Sequence, residues 1–280
     1  MPKLEDLIAE VSVTRRLVCV ATDRARLTAF ADGPAAGWSD SGHCTYASFA
    51  GIIQAAAAGL AWRGLRPRDV VGVMLPDAAC FAIAVHAIRA AGGVPSPVDS
   101  GLCAAETAGQ LAECGARMII TAPPLADSAL AAADRSWVRQ VFSFGDAPGT
   151  THFAELLGLD TMRPVRSRQD DLAMLPFCRS LDGRLRPAPV THAELVGQLD
   201  RVDQRAGITG SDIVLAGPPE GDGLAYALLL DCALLRGAAV VAAPRQNLAA
   251  ACAAHRCTVA IVPYDAAAML PDDVRVLAVD

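Results

Sequence analysis

At 280 residues, with 53% hydrophobic and 19% charged side chains, the chain can bury a sizeable core, which excludes a disordered or low-complexity protein. A net charge of −6, with no Lys/Arg run and no basic–aromatic stretch, excludes a nucleic-acid-binding surface. Nine scattered cysteines and no secretory leader pattern point to reduced thiols in the cytoplasm, and the most apolar stretch, 224–244, carries Asp231, Arg236 and Gly237, so no membrane span is expected.

Taken in chain order, 1–44 is an N-terminal segment in which His43 and Cys44 read as a surface turn. Residues 45–69 have helical spacing that stops at Gly64 and Pro67. The β-branched run 70–76 predicts a buried strand, 77–93 a helix closed by a glycine pair, and 104–116 a further helix. Strands are predicted at 117–121 and 140–144, and 145–170 reads as a loose connection between two halves. The second half opens with a strand at 171–177. Thr191 and Glu194 then form a capping box for a helix over 192–207. Strands follow at 211–217, 238–244, 257–263 and 274–279, with helices at 223–236 and 247–255. Alternating strands and helices imply largely parallel sheets covered on both faces. The expected organisation is therefore α/β, with an N-terminal segment 1–44, a first α/β subdomain 45–165 and a second, incomplete one 166–280.

The order of these pieces resembles the AMP-forming acyl-CoA synthetase superfamily, in its N-terminal part only. Leu75, Pro76 and Asp77 fall at that family's Leu-Pro-Asn position, and Glu106, Gln110 and Leu111 lie in register with its next segment. Residues 170–177 match the strand before its phosphate loop, and Thr191 and His192 match the Thr-His after it. The resemblance implies the layered αβαβα-type fold of the large N-terminal domain, cut short. It also places the family's catalytic lysine in a C-terminal domain beyond Asp280, and Lys3 is the only lysine in this sequence.

The resemblance brings a specific disagreement. The family's loop is Ser-Ser-Gly-Thr-Thr-Gly-x-Pro-Lys-Gly, and here its positions hold Cys178 to Pro187. Such a loop needs glycines that let amides approach phosphate, hydroxyl donors and cations. Ser180 stands where a glycine bends the chain, Leu181 and Asp182 replace both threonines, and Gly183 survives. Arg179, Arg184 and Arg186 supply charge, but Pro187 and Pro189 offer no amide hydrogen. Two like charges about 4 Å apart repel by roughly 4 kcal/mol at an effective dielectric of about 20, so Asp182 opposes a phosphate. The degenerate nucleotide-binding set is thus Arg179, Ser180, Asp182, Gly183, Arg184, Arg186 and Thr191, either drifted into a solvated connection or redesigned as an anion site.

By the same resemblance Glu220, Asp222 and Gly223 fall in the substrate-pocket segment, with Glu220 at a histidine position where it would repel a carboxylate substrate. Cys252, His255 and Cys257 have no zinc-pair spacing and read as packing residues, and no metal is expected. Cys178 beside arginines, with His192 nearby in sequence, is a weaker thiol-nucleophile alternative. His86 reads as a core histidine, and Trp38, Trp62 and Trp137 as isolated residues without a stacking platform. The expectation is a non-catalytic binding protein with no catalytic residue and no cofactor. It would bind a small ligand or a protein partner, and a homodimer covering an open sheet edge is the simplest form. The alternative is an AMP-forming carboxylate (fatty or aryl acid)-CoA ligase, by itself or as one half of a split enzyme, using ATP and Mg.

Overall fold

The computed structural model describes residues 12–25, 27–31, 43–158, 161–180 and 182–279. Lys3, Trp38 and Leu181 lie outside them. Helix α1 (Val13–Asp23) starts at Ser12, whose hydroxyl accepts the Arg15 amide at 3.5 Å, and buries Val13, Leu17 and Ala21 at four-residue spacing. Strands β1 (Thr28–Phe30) and β2 (Cys44–Thr45) pair antiparallel. The surface turn expected at His43–Cys44 is corrected here. His43 is exposed, but Cys44 is fully buried in β2, and that burial raises its thiol pKa to about 11.

Helix α2 (Tyr46–Trp62) ends where Gly64 adopts φ +100° and the Leu65 amide reaches back to the Leu60 carbonyl at 3.0 Å. Strand β3 (Val70–Val73) leads to α3 (Ala78–Ala90), whose first turn is capped by Asp77 accepting the Cys80 amide at 2.9 Å. Next come β4 (Val94–Pro97), α4 (Ala104–Glu113), β5 (Met118–Thr121), α5 (Ala126–Ala133), β6 (Gln140–Ser143) and β7 (Thr151–His152). These strands form a five-stranded, all-parallel sheet in the order β4-β3-β5-β6-β7. Leu111, Ile119, Ala129 and Val141 fill the core beneath it.

The stretch 145–170 is more ordered than expected. Besides β7 it holds a 3₁₀ turn, Phe153–Gly158, that buries Phe153 and Leu156. A Cβ on Gly59 would lie 2.3 Å from the Leu156 carbonyl oxygen, so only glycine lets α2 approach this turn.

Strand β8 (Leu172–Met174) follows, then β9 (Phe177–Arg179), β10 (Leu185–Pro187), β11 (Val190–Thr191) and α6 (His192–Ala206). Arg89 of α3 is only 2% exposed, and its Nε donates to the Ala173 carbonyl of β8 at 2.9 Å. The chain closes with β12 (Ile213–Ala216), α7 (Gly223–Arg236), β13 (Ala239–Ala242), α8 (Leu248–His255), β14 (Val259–Pro263) and β15 (Arg275–Val279). A six-stranded sheet results, ordered β15-β14-β12-β13-β1-β2 and parallel except for β1 with β2. Leu215, Val241, Leu248, Ala260 and Val262 form its core.

The chain folds into two compact units, each with one of these sheets. One takes the described residues up to Gly51, Pro76–Ala82, and those from Glu194 onward; the other takes Ile52–Leu75 and Ile83–Ala193. His86 is fully buried on α3, while Trp62 and Trp137 are exposed. Cys252 and Cys257 are buried packing residues; burial is the main cause that raises the Cys257 pKa to about 12, with Cys252 beside it. Among the described residues no cluster of His, Cys, Asp or Glu could hold a metal ion, and no helix is long and apolar enough to cross a membrane.

Candidate functional site

Residues 177–180 and 182–187, where a phosphate loop or a solvated connection was expected, form the two sides of a β-hairpin. Strands β9 and β10 pair antiparallel, with Arg179 opposite Leu185, Cys178 opposite Arg186 and Phe177 opposite Pro187. The turn satisfies itself. The Ser180 amide donates to the Arg184 carbonyl at 2.9 Å, and the Gly183 amide to the Ser180 carbonyl at 2.8 Å. The Arg184 amide donates to Asp182 Oδ1 at 3.1 Å. The Ser180 hydroxyl lies between Asp182 Oδ1 and the Arg184 carbonyl, with one hydrogen to give. Gly183 sits at φ +77°, which explains why it is the glycine that remains.

Asp182 therefore also fastens the turn, besides the negative charge it carries. The Ser180 hydroxyl, then the Arg184 amide, hold its carboxyl pKa below the ordinary value, with the Arg186 guanidinium 3.7 Å away adding to the effect. Arg179 is also engaged: Nη1 donates to the Gly183 carbonyl at 3.0 Å, and Nη2 lies 3.4 Å from Glu106. Glu106 in turn accepts the Cys103 amide at 3.2 Å at the start of α4, and that bond is the first cause of its lowered pKa. Arg184 is exposed at the tip.

The helix start behind the hairpin is occupied by the chain as well. In an anion site the first amides of such a helix point at the ligand. Here the His192 and Ala193 amides donate to the carbonyls of Asp171 and Gln169, at 2.9 and 3.1 Å. Thr191 is half-buried in β11, which pairs with β8. Cys178 is exposed on β9, whereas His192 is buried as the first residue of α6.

Glu220, Asp222 and Gly223 belong to the other unit. Asp222 is the N-cap of α7, its Oδ1 accepting the amides of Leu224 at 2.9 Å and Ala225 at 3.1 Å, and Gly223 is the helix's first residue. Glu220 does not stand as an isolated negative charge. Arg245 contacts it at 3.0 Å and also pairs with Asp265. The pairings of Glu106 with Arg179 and of Arg245 with Glu220 were not legible from sequence, because the partners lie 73 and 25 residues apart. The hairpin itself had a signal: Asp182-Gly183 is a favoured hairpin-turn pair.

The AMP-binding enzyme family model matches residues 21–278. A 4-coumarate–CoA ligase of Pinus taeda is 30% identical over 234 residues, covering 80% of this chain and 43% of the ligase. The structure of a long-chain-fatty-acid-CoA ligase from Archaeoglobus fulgidus superposes with a TM-score of 0.77 at 16% identity, over 91% of this chain and 52% of that one. The apo structure of MbtA from Mycobacterium smegmatis gives 0.76 at 27% identity, over 90% and 48%. The parallel sheets and their helices thus match the N-terminal domain of acyl-CoA synthetase structures. The chain spans less than half the length of the first curated relatives it matches.

Proposed function

We propose, for a chain that belongs to the AMP-binding enzyme family, a binding role without adenylate chemistry: it takes a small carboxylate or acyl ligand, or a protein partner, in the cytoplasm, and uses neither ATP nor magnesium. One observation carries this reading. In the hairpin 177–187 the amides of Ser180, Gly183 and Arg184 and the Ser180 hydroxyl all find acceptors inside the turn. A phosphate seated there would first have to open them. At about 1 kcal/mol each, losing only the Ser180 and Gly183 amide bonds weakens binding by more than about tenfold.

The second reading is an AMP-forming carboxylate-CoA ligase acting as one half of a split enzyme. It is favoured by the exposure of Arg179, Arg184 and Arg186 around the hairpin tip, where guanidinium groups suit phosphate. Calorimetric titration of the full chain with ATP and Mg separates the two. At the hairpin the binding role predicts a dissociation constant in the millimolar range or none, and a micromolar constant that is lost in Arg179→Gln/Arg184→Gln/Arg186→Gln overturns it in favour of the ligase. The partner we infer first is a second copy of the chain, since β15 has β14 as its sole sheet neighbour among the described residues.

A further inference from the structure

A second concave site lies in the unit with the five-stranded sheet, at the starts of its strands. It encloses about 450 Å³ and is lined by Arg63, Arg66, Arg117, Arg139, Asp69 and Gln140 among others. That volume falls in the range of small-ligand sites, roughly 300–1,000 Å³. Four arginines against one aspartate give the lining a net charge of +3, in a chain whose total is −6.

The sheet topology creates the cluster. Arg117 and Arg139 immediately precede the neighbouring parallel strands β5 and β6. The Arg139 amide donates to the Arg117 carbonyl at 2.8 Å, so the two residues begin adjacent strands side by side. Arg63 and Arg66 come from the α2–β3 connection. The Gln140 side-chain amide holds the Arg63 carbonyl at 3.0 Å, and Asp69 accepts the Arg66 amide at 2.9 Å. Arg63 is held by Glu155 at 2.8 Å and lies over the Trp62 ring, and Arg139 Nη1 donates to the Val138 carbonyl at 3.0 Å. The guanidinium groups of Arg66 and Arg117 make no ion pair among the described residues, and both side chains are exposed. Holding the charges of Arg66 and Arg117 on a fixed frame without a paired carboxylate opposes stability. Guanidinium forks match phosphate oxygens bidentately.

We propose that this cleft binds a phosphorylated small molecule carrying a diphosphate, or two phosphates close together, with Arg66 and Arg117 as principal contacts and Arg63 and Arg139 completing the charge. The inference does not depend on the proposed function, because none of these residues belongs to the hairpin.

The test is calorimetry of the full chain with inorganic pyrophosphate as probe, together with amide chemical-shift mapping by NMR. The expected dissociation constant is about 100 μM or tighter. It weakens at least about tenfold in Arg66→Gln/Arg117→Gln and is unchanged in Arg186→Gln, since each charge-assisted bond removed is expected to contribute that much. In the wild-type chain, where no variant need fold, the amides of Arg66, Arg117, Arg139 and Gln140 shift and those of 180–186 stay in place. No heat up to about 10 mM overturns the proposal. So does equally tight binding of sulfate, or a shift pattern centred on 180–186; that last pattern counts against the closed hairpin too, whereas the first two leave it untouched.

Discussion

At the scale of single residues, Asp182 shows how one carboxylate changes meaning once its neighbours are known. As a charge in a phosphate loop it opposes a ligand; in the folded chain it closes a turn through Ser180 and Arg184. Its pKa is lowered, so the hydrogen bonds it accepts support the turn above the carboxyl's ordinary value and are lost as pH falls through the lower folded one. Because the group is fully exposed, the effect on global stability is screened and small. It is best read locally. A carboxyl ¹³C titration is expected to place the Asp182 midpoint below 3.8, and Ser180→Ala is expected to move it upward. A wild-type midpoint at or above 3.8 contradicts the turn geometry. The sequence held the identity of these residues and the Asp-Gly turn pair. It could not supply the closing contacts, which depend on the hairpin register bringing Arg184 back to Ser180 and Arg186 to Asp182.

At the scale of elements, legibility followed the strength of periodic pattern. Helix α7 was readable to its ends because Asp222 caps one end and Gly237, at φ +77°, closes the other. The parallel strands β12, β13 and β14 were readable as short apolar runs, since both faces are buried. Strand β4 was not, because Pro95 and Pro97 argue against a strand; it lies at the end of its sheet, where proline is tolerated. Helix α5 was hidden by its eight-residue length and the two prolines before it. The pattern also gave no hint that α2 needs a glycine opposite Leu156. Gly59→Ala pushes a methyl into main-chain atoms that cannot rotate away, so a loss of about 1–3 kcal/mol is expected. Urea unfolding measures it, and a midpoint equal to wild type contradicts the approach of α2 to the 3₁₀ turn.

At the scale of the whole molecule, the proposed self-association has a direct test. Sedimentation at micromolar concentration is expected to show a species near twice the 29.0 kDa chain mass, and a single monomeric boundary overturns the inference. The fold class was legible because strand–helix alternation is a property of the chain as a whole. The interleaving of the two units was not, since it depends on contacts between remote segments. Tyr46 states the consequence most plainly. Its buried hydroxyl sits between the carbonyls of Leu234 and Ala238, 188 and 192 residues downstream, and β1 finds its parallel neighbour in β13. A nascent chain emerging from the ribosome must therefore leave one edge of β1 open and sticky until β13 has been translated. Contacts so far apart along a chain slow folding in general, and an edge left open meanwhile is where mispairing starts.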